Sequence, residues 1–459
     1  MGSGNAAPAG FPRRRGSEDM MKHEGAKLVI ALMLCGGMAA ATGAEVTRAE
    51  VEAWIAAEPA AWPAAGTRIA QAEIESLREL IAPGYFDYVK DPGVDFEIEA
   101  TLEYRPHQVY LDATAQHGNA ATLKAGGGMD GYVAGRPFDP ERFDDVTPEE
   151  AGMMIAWNHV HRWQYYGYKV DALEMIYVLP GGGGAKVEGV VGGGSIDRTM
   201  VQVYHRVYLN HLAMLPAQHY KVDADGSDTR YFKEYLSFVE PFDVAGTTFV
   251  VERALDPNEE DQVNSYLPTQ RRVRRLSAKE RADNFMGSNF TLDDLEGYSG
   301  RVMDYEWIYR GQKQMLVVLD SREKVLRFGG PQSNVALDRW QLRPTYVVEL
   351  KPRWSGHPMS AKFLFIDAQT WNPALALTID RAGKLWRVIM PHYQMPVRDE
   401  STPERSMETS TPRWRGSFAL DLKSNTTTLA RATSATEFPT MSEREIERTF
   451  ALSRLTEGR

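Results

Sequence analysis

Cysteine is almost absent from this chain, which has a single one, Cys35. One cysteine excludes a disulfide framework within the chain and a cysteine-rich zinc site. Cys35 lies inside the apolar run from Leu28 to Ala41, directly after the bulky Leu34. A lipoprotein in which Cys35 carries the lipid therefore stays the less favoured alternative, because such sites need a small residue at the preceding position.

An excess of positive charge is also lacking. The 459 residues carry a formal net charge of −10 at pH 7. Binding to nucleic acid depends on neutralising phosphates with Lys and Arg, so a nucleic-acid partner is not expected. The chain is nevertheless long enough, and apolar enough, to bury a substantial core.

Catalytic, cofactor and metal motifs are missing as well. Ser195 follows Gly192–Gly194, but no glycine completes a nucleophile elbow, and no glycine run ends in the Gly-Lys-Ser or Gly-Lys-Thr of a phosphate-binding loop. His159 and His161 are two apart on a predicted helix and therefore point to different faces. We predict a non-enzyme without cofactor or metal; a hydrolase that uses Ser195 or His205 is a weaker alternative.

The N-terminal segment has the pattern of a signal peptide. Lys22 and Lys27 precede the apolar run, and Thr42-Gly43-Ala44 supplies small residues after it. We predict that residues 1–44 are an upstream extension and a signal peptide cleaved near Ala44. Residues 45–459 are then expected to form a single domain in the periplasm, with association to the outer membrane left open.

The first third of the mature chain has helical signals. Thr47 and Glu50 form a capping box, as do Thr147 and Glu150, with Pro148 in the first turn. We predict helices after Thr47, between residues 69 and 81, after Thr147, and again from Ser442 with Glu445 completing its cap. Two short strands are predicted at 96–101 and 108–114.

From about residue 185 the apolar period changes from helical to two, as in Val201, Val203, His205 and Val207. Such runs, separated by short polar turns, predict a series of strands at 201–209, 231–239, 247–255, 262–267, 270–276, 300–309, 314–319, 339–350, 361–369, 374–380, 385–390, 416–422 and 426–432.

The order of elements predicts a mainly β (α+β) fold. A few helices precede a long strand meander without βαβ alternation, which favours one large, curved antiparallel sheet, an incomplete β-barrel whose concave face is covered by helices. The strands carry charges on both faces, which argues against an outer-membrane barrel.

Several segments resemble domain-of-unknown-function family 1329, which is described as outer-membrane lipoprotein-sorting protein-like. The similarity extends over about residues 60–450, and it rests on residues 135–138, 156–158, 266–276, 287–297 and 305–307. The resemblance implies a half-barrel like that of the LolA and LolB carriers, with an apolar ligand on its concave side. It also implies a role beside transporters of the resistance-nodulation-division (RND) type.

The arginine-rich segment 271–275 is the sharpest local feature. On a strand, Arg272 and Arg274 share one face, where they can meet an anionic headgroup at the mouth of a cavity. The interpretation that we favour is that these arginines pair with the acidic residues at 293, 294 and 296 and attach that loop to the sheet. The dense aromatic patches add three candidate ligand-binding residues, which are Trp157, Tyr204 and Trp307.

We therefore predict a periplasmic carrier of a lipid or another hydrophobic small molecule. Its expected partner is an inner-membrane RND-type transporter or an outer-membrane component. The alternative is an adaptor in a transport assembly that carries no cargo and contacts proteins through the sheet edge or the arginine-rich strand.

Overall fold

Strands make up most of the secondary structure. The computed structural model describes residues 45–456, except 70, 92–93, 95, 119, 217 and 278–279. The predicted extension and signal peptide lie outside the described residues. Those described belong to one unit that extends from Gly43 to Arg459.

The strands of the described residues are β1 Thr67–Ile69, β2 Phe96–Glu99, β3 Thr122–Leu123, β4 Met129–Asp130, β5 Gly167–Leu179, β6 Gly182–Gly184, β7 Gly194–Tyr208, β8 Arg230–Glu240, β9 Thr248–Ala254, β10 Gln262–Leu267, β11 Arg272–Leu276, β12 Tyr305–Val317, β13 Phe328–Gly329, β14 Val335–Ala336, β15 Arg339–Pro352, β16 Met359–Asp367, β17 Pro373–Asp380, β18 Leu385–Gln394, β19 Arg413–Asp421, β20 Thr426–Ala432 and β21 Thr436–Glu437. The α-helices are α1 Arg48–Ala56, α2 Phe86–Val89, α3 Gln108–His117, α4 Pro148–Val160, α5 Pro403–Thr409 and α6 Glu443–Phe450. The longest 3-10 segment is Gln71–Leu80.

Two antiparallel meanders build the main sheet. One follows the order β5, β7, β8, β9, β10, β11, and the other follows β12, β15, β16, β17, β18, β19, β20. They join where β20 pairs with β5, from Thr427 opposite Val178 to Ala432 opposite Leu173. These two strands are far apart in the sequence, so their pairing is a long-range contact.

The sheet is not closed into a barrel. In the described part of the chain β11 pairs only with β10, β12 pairs only with β15, and no ladder joins these two edges. The predicted mainly-β, unclosed sheet with covering helices is confirmed. The sheet is mixed, however, because β6 pairs parallel with β7 and β2 pairs parallel with β15.

Both faces of the sheet are buried. In β16, Phe363 and Phe365 point to a first face, while Leu364 and Ile366 point to a second one, as the two-residue period of a strand requires. The first face packs against α1, the 3-10 segment Gln71–Leu80 and α2. On the second face lie α4 and the irregular segment after β11. At the β8–β10 end, α6 adds Ile446.

The predicted helix starts are confirmed by their caps. Capping boxes form at Thr47 with Glu50, at Thr147 with Glu150 and at Ser442 with Glu445. In α4 every residue from Ala151 to His159 is buried, because the helix lies between β12, β15 and the preceding segments.

Four local predictions were wrong. Residues 108–114 form helix α3 and not a strand, with His107 capping it and Gln108 donating to Asp112 one turn later. Ile69 belongs to β1, so the predicted second helix begins later, as a 3-10 segment. The two strands predicted at 300–309 and 314–319 are one strand, β12, interrupted by a bulge at Gly311. Strand β5 was not predicted at all.

Candidate functional site

An apolar cavity lies between the second face of the sheet and a covering segment. We call residues 281–297 the cover. The cavity measures about 60 Å3 and is lined mainly by apolar side chains from six strands and the cover. Its lining residues are Leu173, Met175, Gln202, Tyr204, Glu234, Leu236, Phe249, Val251, Arg281, Phe285, Phe290, Thr291, Leu292, Asp294, Leu295, Trp414, Ser417 and Ala430.

Buried ion pairs hold the cover on the sheet. Lys362 Nζ of β16 lies 2.5 Å from Asp294 Oδ1 and joins the cover to the sheet, whereas Arg281 Nη2 lies 2.8 Å from Asp293 Oδ1 within the cover. Glu296 accepts from Arg162 at 2.9 Å. The three acidic residues were expected to pair with the arginines of 271–275. That expectation was wrong, because the cations that contact these carboxylates are Lys362, Arg281 and Arg162.

Three hydrogen-bonded polar side chains, Tyr204, Arg206 and Glu234, lie at one corner of the apolar cavity. The Tyr204 hydroxyl and the Arg206 guanidinium both donate to Glu234. Burial acts to raise the pKa of Glu234, but the charge of Arg206 and the hydrogen bonds from Tyr204 and Arg206 together hold that pKa below its usual value. Glu234 therefore stays ionised, and Tyr204 offers its ring, not a free hydroxyl, to the cavity.

A second, larger cavity of about 270 Å3 lies beside the C-terminal end of α4. We call it the imidazole cavity, because two histidines line it together with three other aromatic side chains. Its lining residues are Met129, Asp130, Gly131, Tyr132, Trp157, Val160, His161, His211, Tyr231, Arg253, Ala254, Leu255, Asp256, Pro257, Glu259, Arg301 and Val302. The two cavities share no lining residue.

The sequence-predicted ligand residues are not brought together. Trp157 lines the imidazole cavity and Tyr204 lines the apolar cavity. Trp307 is buried in the core, donates to Val302 O at 2.9 Å and lines neither of the two. Arg272 and Arg274 are exposed on the edge strand β11. Binding by these five residues stays a prediction.

Sequence reasoning missed most of the lining residues of both cavities. Phe290 and Leu295 fall within a segment that the family resemblance marked, but nothing in the sequence shows that they face a cavity. His161 was considered only as a metal ligand. Its neighbour across the imidazole cavity, His211, is fifty residues away in the sequence, and their ring centroids lie 5.2 Å apart.

The residues of the hydrolase alternative lie far apart. Ser195 and His205 stand at opposite ends of β7, where ten residues of strand span about 33 Å. Burial lowers the pKa of His205 to about 4, and its Nε2 lies 3.6 Å from Asp171. This pair cannot form a nucleophile and base within one site. Among the described residues, no group of three or more His, Cys, Asp and Glu is placed to hold a metal ion.

None of the helices in the described ranges combines the length and the apolar character needed to cross a membrane.

Residues 68–455 match the sequence profile of a family described as "Protein of unknown function (DUF1329)". The chain belongs to the DUF1329 family. The match extends over both cavities and the cover.

Three similar proteins illustrate the range of similarity. The uncharacterized protein PA3922 of Pseudomonas aeruginosa is 23% identical over 366 residues, which cover 73% of this chain and 70% of that protein. A DUF1329 family protein of Desulfovibrio piger aligns with a TM-score of 0.45 at 15% identity, covering 68% of this chain and 100% of its own. The LolA superfamily protein NE2245 of Nitrosomonas europaea aligns with a TM-score of 0.32 at 12% identity, covering 62% and 92%.

Proposed function

We propose that this protein is a periplasmic carrier that binds a lipid or another hydrophobic ligand between the sheet and the cover. The observation that carries the proposal is the apolar cavity, in which strands of both meanders present a mainly apolar face to Phe285, Phe290, Leu292 and Leu295 of the cover. Apolar, concave sites with a few polar groups at one corner are typical of small-molecule binding.

The size of the apolar cavity implies that the cover moves when a ligand enters. A volume of about 60 Å3 corresponds to about two water molecules, which is too small for an acyl chain. The cover has left-handed residues near both ends, Met286 and Gly287 at one and Glu296 and Gly297 at the other. Rotation at these two points would lift the apolar residues between them away from the sheet.

The energy available from such a ligand is adequate for reversible capture. Each methylene removed from water contributes about 0.8 kcal/mol, so ten of them contribute about 8 kcal/mol before the costs of ordering. Micromolar affinity needs a net value of about the same size. No catalytic group is required, which accords with the separation of Ser195 from His205.

The carrier would exchange its ligand with an inner-membrane transporter of the RND type. This part of the proposal rests on the resemblance to the family and on the secretory pattern before residue 45.

The test measures binding of dodecanoic acid by equilibrium dialysis. Ala430 lines the apolar cavity, whereas Ala432 lies two residues further along β20 on the same face and does not. Both are buried, so Ala430→Leu and Ala432→Leu overpack the same core. We expect Ala430→Leu to abolish binding and Ala432→Leu to retain it.

Native mass spectrometry of the protein purified from the periplasm, combined with solvent extraction, complements this test. A stoichiometric hydrophobic molecule would support the carrier. A protein that is empty and takes up no dodecanoic acid would refute it.

A second candidate function is that of an adaptor, and the edge strand β11 favours it. Residues 271–275 are all exposed, and the other edge of β11 has no partner strand in the described part of the chain. Of these arginines, Arg274 has a weak contact with Glu280 at 3.7 Å. Such a cationic edge suits an acidic partner surface. Loss of transporter capture in the double variant Arg272→Gln, Arg274→Gln, with dodecanoic acid binding retained, would support the adaptor.

A further inference from the structure

Five aromatic rings surround the imidazole cavity, and His161 lies at their centre. Its ring centroid is 4.2 Å from that of Tyr132, 5.2 Å from those of His211 and Tyr231, and 6.1 Å from that of Trp157, with which it stacks. Such ring distances are those of favourable offset and edge contacts, so the wall is a preformed aromatic surface.

The polar atoms of three of these rings, and one ring nitrogen of a fourth, already have partners. Trp157 Nε1 donates to Gly127 O, the Tyr132 hydroxyl to Gly135 O, and the Tyr231 hydroxyl to Val160 O, each at 2.8 Å. A ring nitrogen of His211 lies 2.7 Å from Val133 O. These bonds fix the rings, and the faces of the rings remain available to contact a ligand.

The fifth ring is different. His161 is 8% exposed and lines the cavity, yet its Nδ1 is buried without a hydrogen-bond partner among the described residues. An unpaired buried polar atom is costly, so each one calls for an explanation. Close by, His211 has φ +59, a conformation that non-glycine residues adopt mainly where the surroundings enforce it.

Both arginines of the cavity wall are paired, and its three carboxylates, Asp130, Asp256 and Glu259, are exposed to solvent. Arg253 pairs with Asp261 at 2.8 Å and donates to Ser299 O, and Arg301 pairs with Asp304 at 2.8 Å. Burial lowers the pKa of His161 well below its usual value and lowers that of His211 as well, so both imidazoles are uncharged at neutral pH. An anionic ligand would lose its hydration there without gaining an unpaired cation, and a cationic ligand would meet carboxylates only where solvent already hydrates them.

We propose that the imidazole cavity binds an uncharged aromatic molecule of one or two fused rings, whose single polar group forms a hydrogen bond with the imidazole of His161. A volume of about 270 Å3 suits a ligand of this size and lies near the lower end of small-molecule sites. This site is separate from the apolar cavity, so it does not depend on the proposed carrier function.

The experiment compares 2-naphthol with naphthalene by equilibrium dialysis, since the two probes differ only in the hydroxyl. We expect the protein to bind 2-naphthol about tenfold more tightly, the difference that one hydrogen bond to a buried group supplies. In His161→Leu the affinity for 2-naphthol should fall to that for naphthalene, which itself should not change.

His205→Leu is the matched control, because His205 is also 8% exposed but lies outside this cavity. It should leave the preference for 2-naphthol intact. Ala430→Leu, which fills the apolar cavity, should leave it intact too, and this separates the present site from the carrier site.

Equal affinity for the two probes, absence of binding, or a preference that survives His161→Leu would overturn the proposal. The same conclusion would follow if His205→Leu or Ala430→Leu removed the preference. Should His161→Leu fail to fold, Leu255→Trp provides the second variant, because Leu255 lines the imidazole cavity and is only half-buried. That variant should bind neither probe, and retention of binding would overturn the assignment.

Discussion

Lys362 Nζ and Asp294 Oδ1 lie 2.5 Å apart, and the two side chains are only 5% and 2% exposed. Lys362 belongs to β16 in the middle of the second meander, whereas Asp294 belongs to the cover. The same carboxylate accepts the backbone N–H of Thr291 at 2.8 Å, so it both shapes the cover and attaches it to the sheet. Opening the cover therefore means separating buried charges, which favours a closed resting state.

Replacing the cation of this pair should destabilise the protein strongly. In Lys362→Met, Asp294 would remain as a buried charge without its partner, which costs about 3–5 kcal/mol. Burial acts to raise the pKa of Asp294, yet Lys362 holds it below its usual value; without the lysine that pKa should rise. Urea unfolding at pH 7.5 measures the loss of stability.

Arg405→Met is the control for this variant. Arg405 pairs with Asp399 and Glu408 at the exposed surface. Exposed pairs contribute little, so the unfolding midpoint should not move measurably. Equal midpoints for Lys362→Met and Arg405→Met would contradict the role of the buried pair.

Gly152 lets α4 approach the sheet, and alanine should not be tolerated there. A Cβ atom on Gly152 would lie 2.5 Å from Trp307 O and 2.8 Å from Ile308 N of β12, far inside van der Waals contact. Helix propensity alone would make Gly152→Ala more stable by up to about 1 kcal/mol. We expect the opposite sign, a loss of about 1–3 kcal/mol from overpacking, in thermal or urea unfolding.

Gly182→Ala serves as its control, because a Cβ atom at exposed Gly182 would meet nothing within 4 Å. Unchanged stability is expected there. A stabilised Gly152→Ala would show that α4 can move away from β12 at little cost.

The strands and helix starts could be predicted from the sequence because their signals are local. Thr147 with Glu150 and the period-two run through Val201 need no partner to be recognised. Strand β5 was not predicted because it is buried on both faces. Its sequence is therefore a continuous apolar run, Met175, Ile176, Tyr177 and Val178, without the alternation that marks a half-buried strand.

The cavities could not be predicted for a related reason. Whether an aromatic residue such as Phe290 lines a cavity or fills a core depends on contacts between segments that are distant in the sequence. The ion pair of Lys362 with Asp294 spans 68 residues, and nothing at either position marks the other. Trp307 illustrates the same ambiguity. Its aromatic patch suggested a ligand site, but its ring is buried in the core and lines neither cavity.

Stability should fall as the pH drops below 6.5, and His392 should contribute to this loss. His392 is fully buried beside Phe328 and Phe418, and burial lowers its pKa to about 3. Because the folded pKa lies below the unfolded one, this stabilisation is complete above pH 6.5. The contribution of His392 to the free energy of unfolding is lost as the pH falls toward 3, by up to about 1.4 kcal/mol per pH unit.

In His392→Leu the free energy of unfolding should depend less steeply on pH between 6.5 and 4. The slope should be smaller by up to about 1.4 kcal/mol per pH unit. Urea titrations at a series of pH values measure the slope. His219→Leu, at an exposed histidine, should leave it as in the unmodified protein. An unchanged slope in His392→Leu would mean that this histidine is not protonated on unfolding in that range.

Enlarging the apolar cavity should lower the stability of the protein and raise its affinity for the ligand. Phe290→Ala removes a buried ring from the cover side of the cavity and should cost about 3–5 kcal/mol. The space it creates lies where the proposed ligand binds, so dodecanoic acid should bind more tightly and restore part of the lost stability. Phe363→Ala, on the first face of the sheet, should lose a similar amount without gaining affinity. If both variants behaved alike toward dodecanoic acid, the cavity under the cover would be a packing defect and not a ligand site.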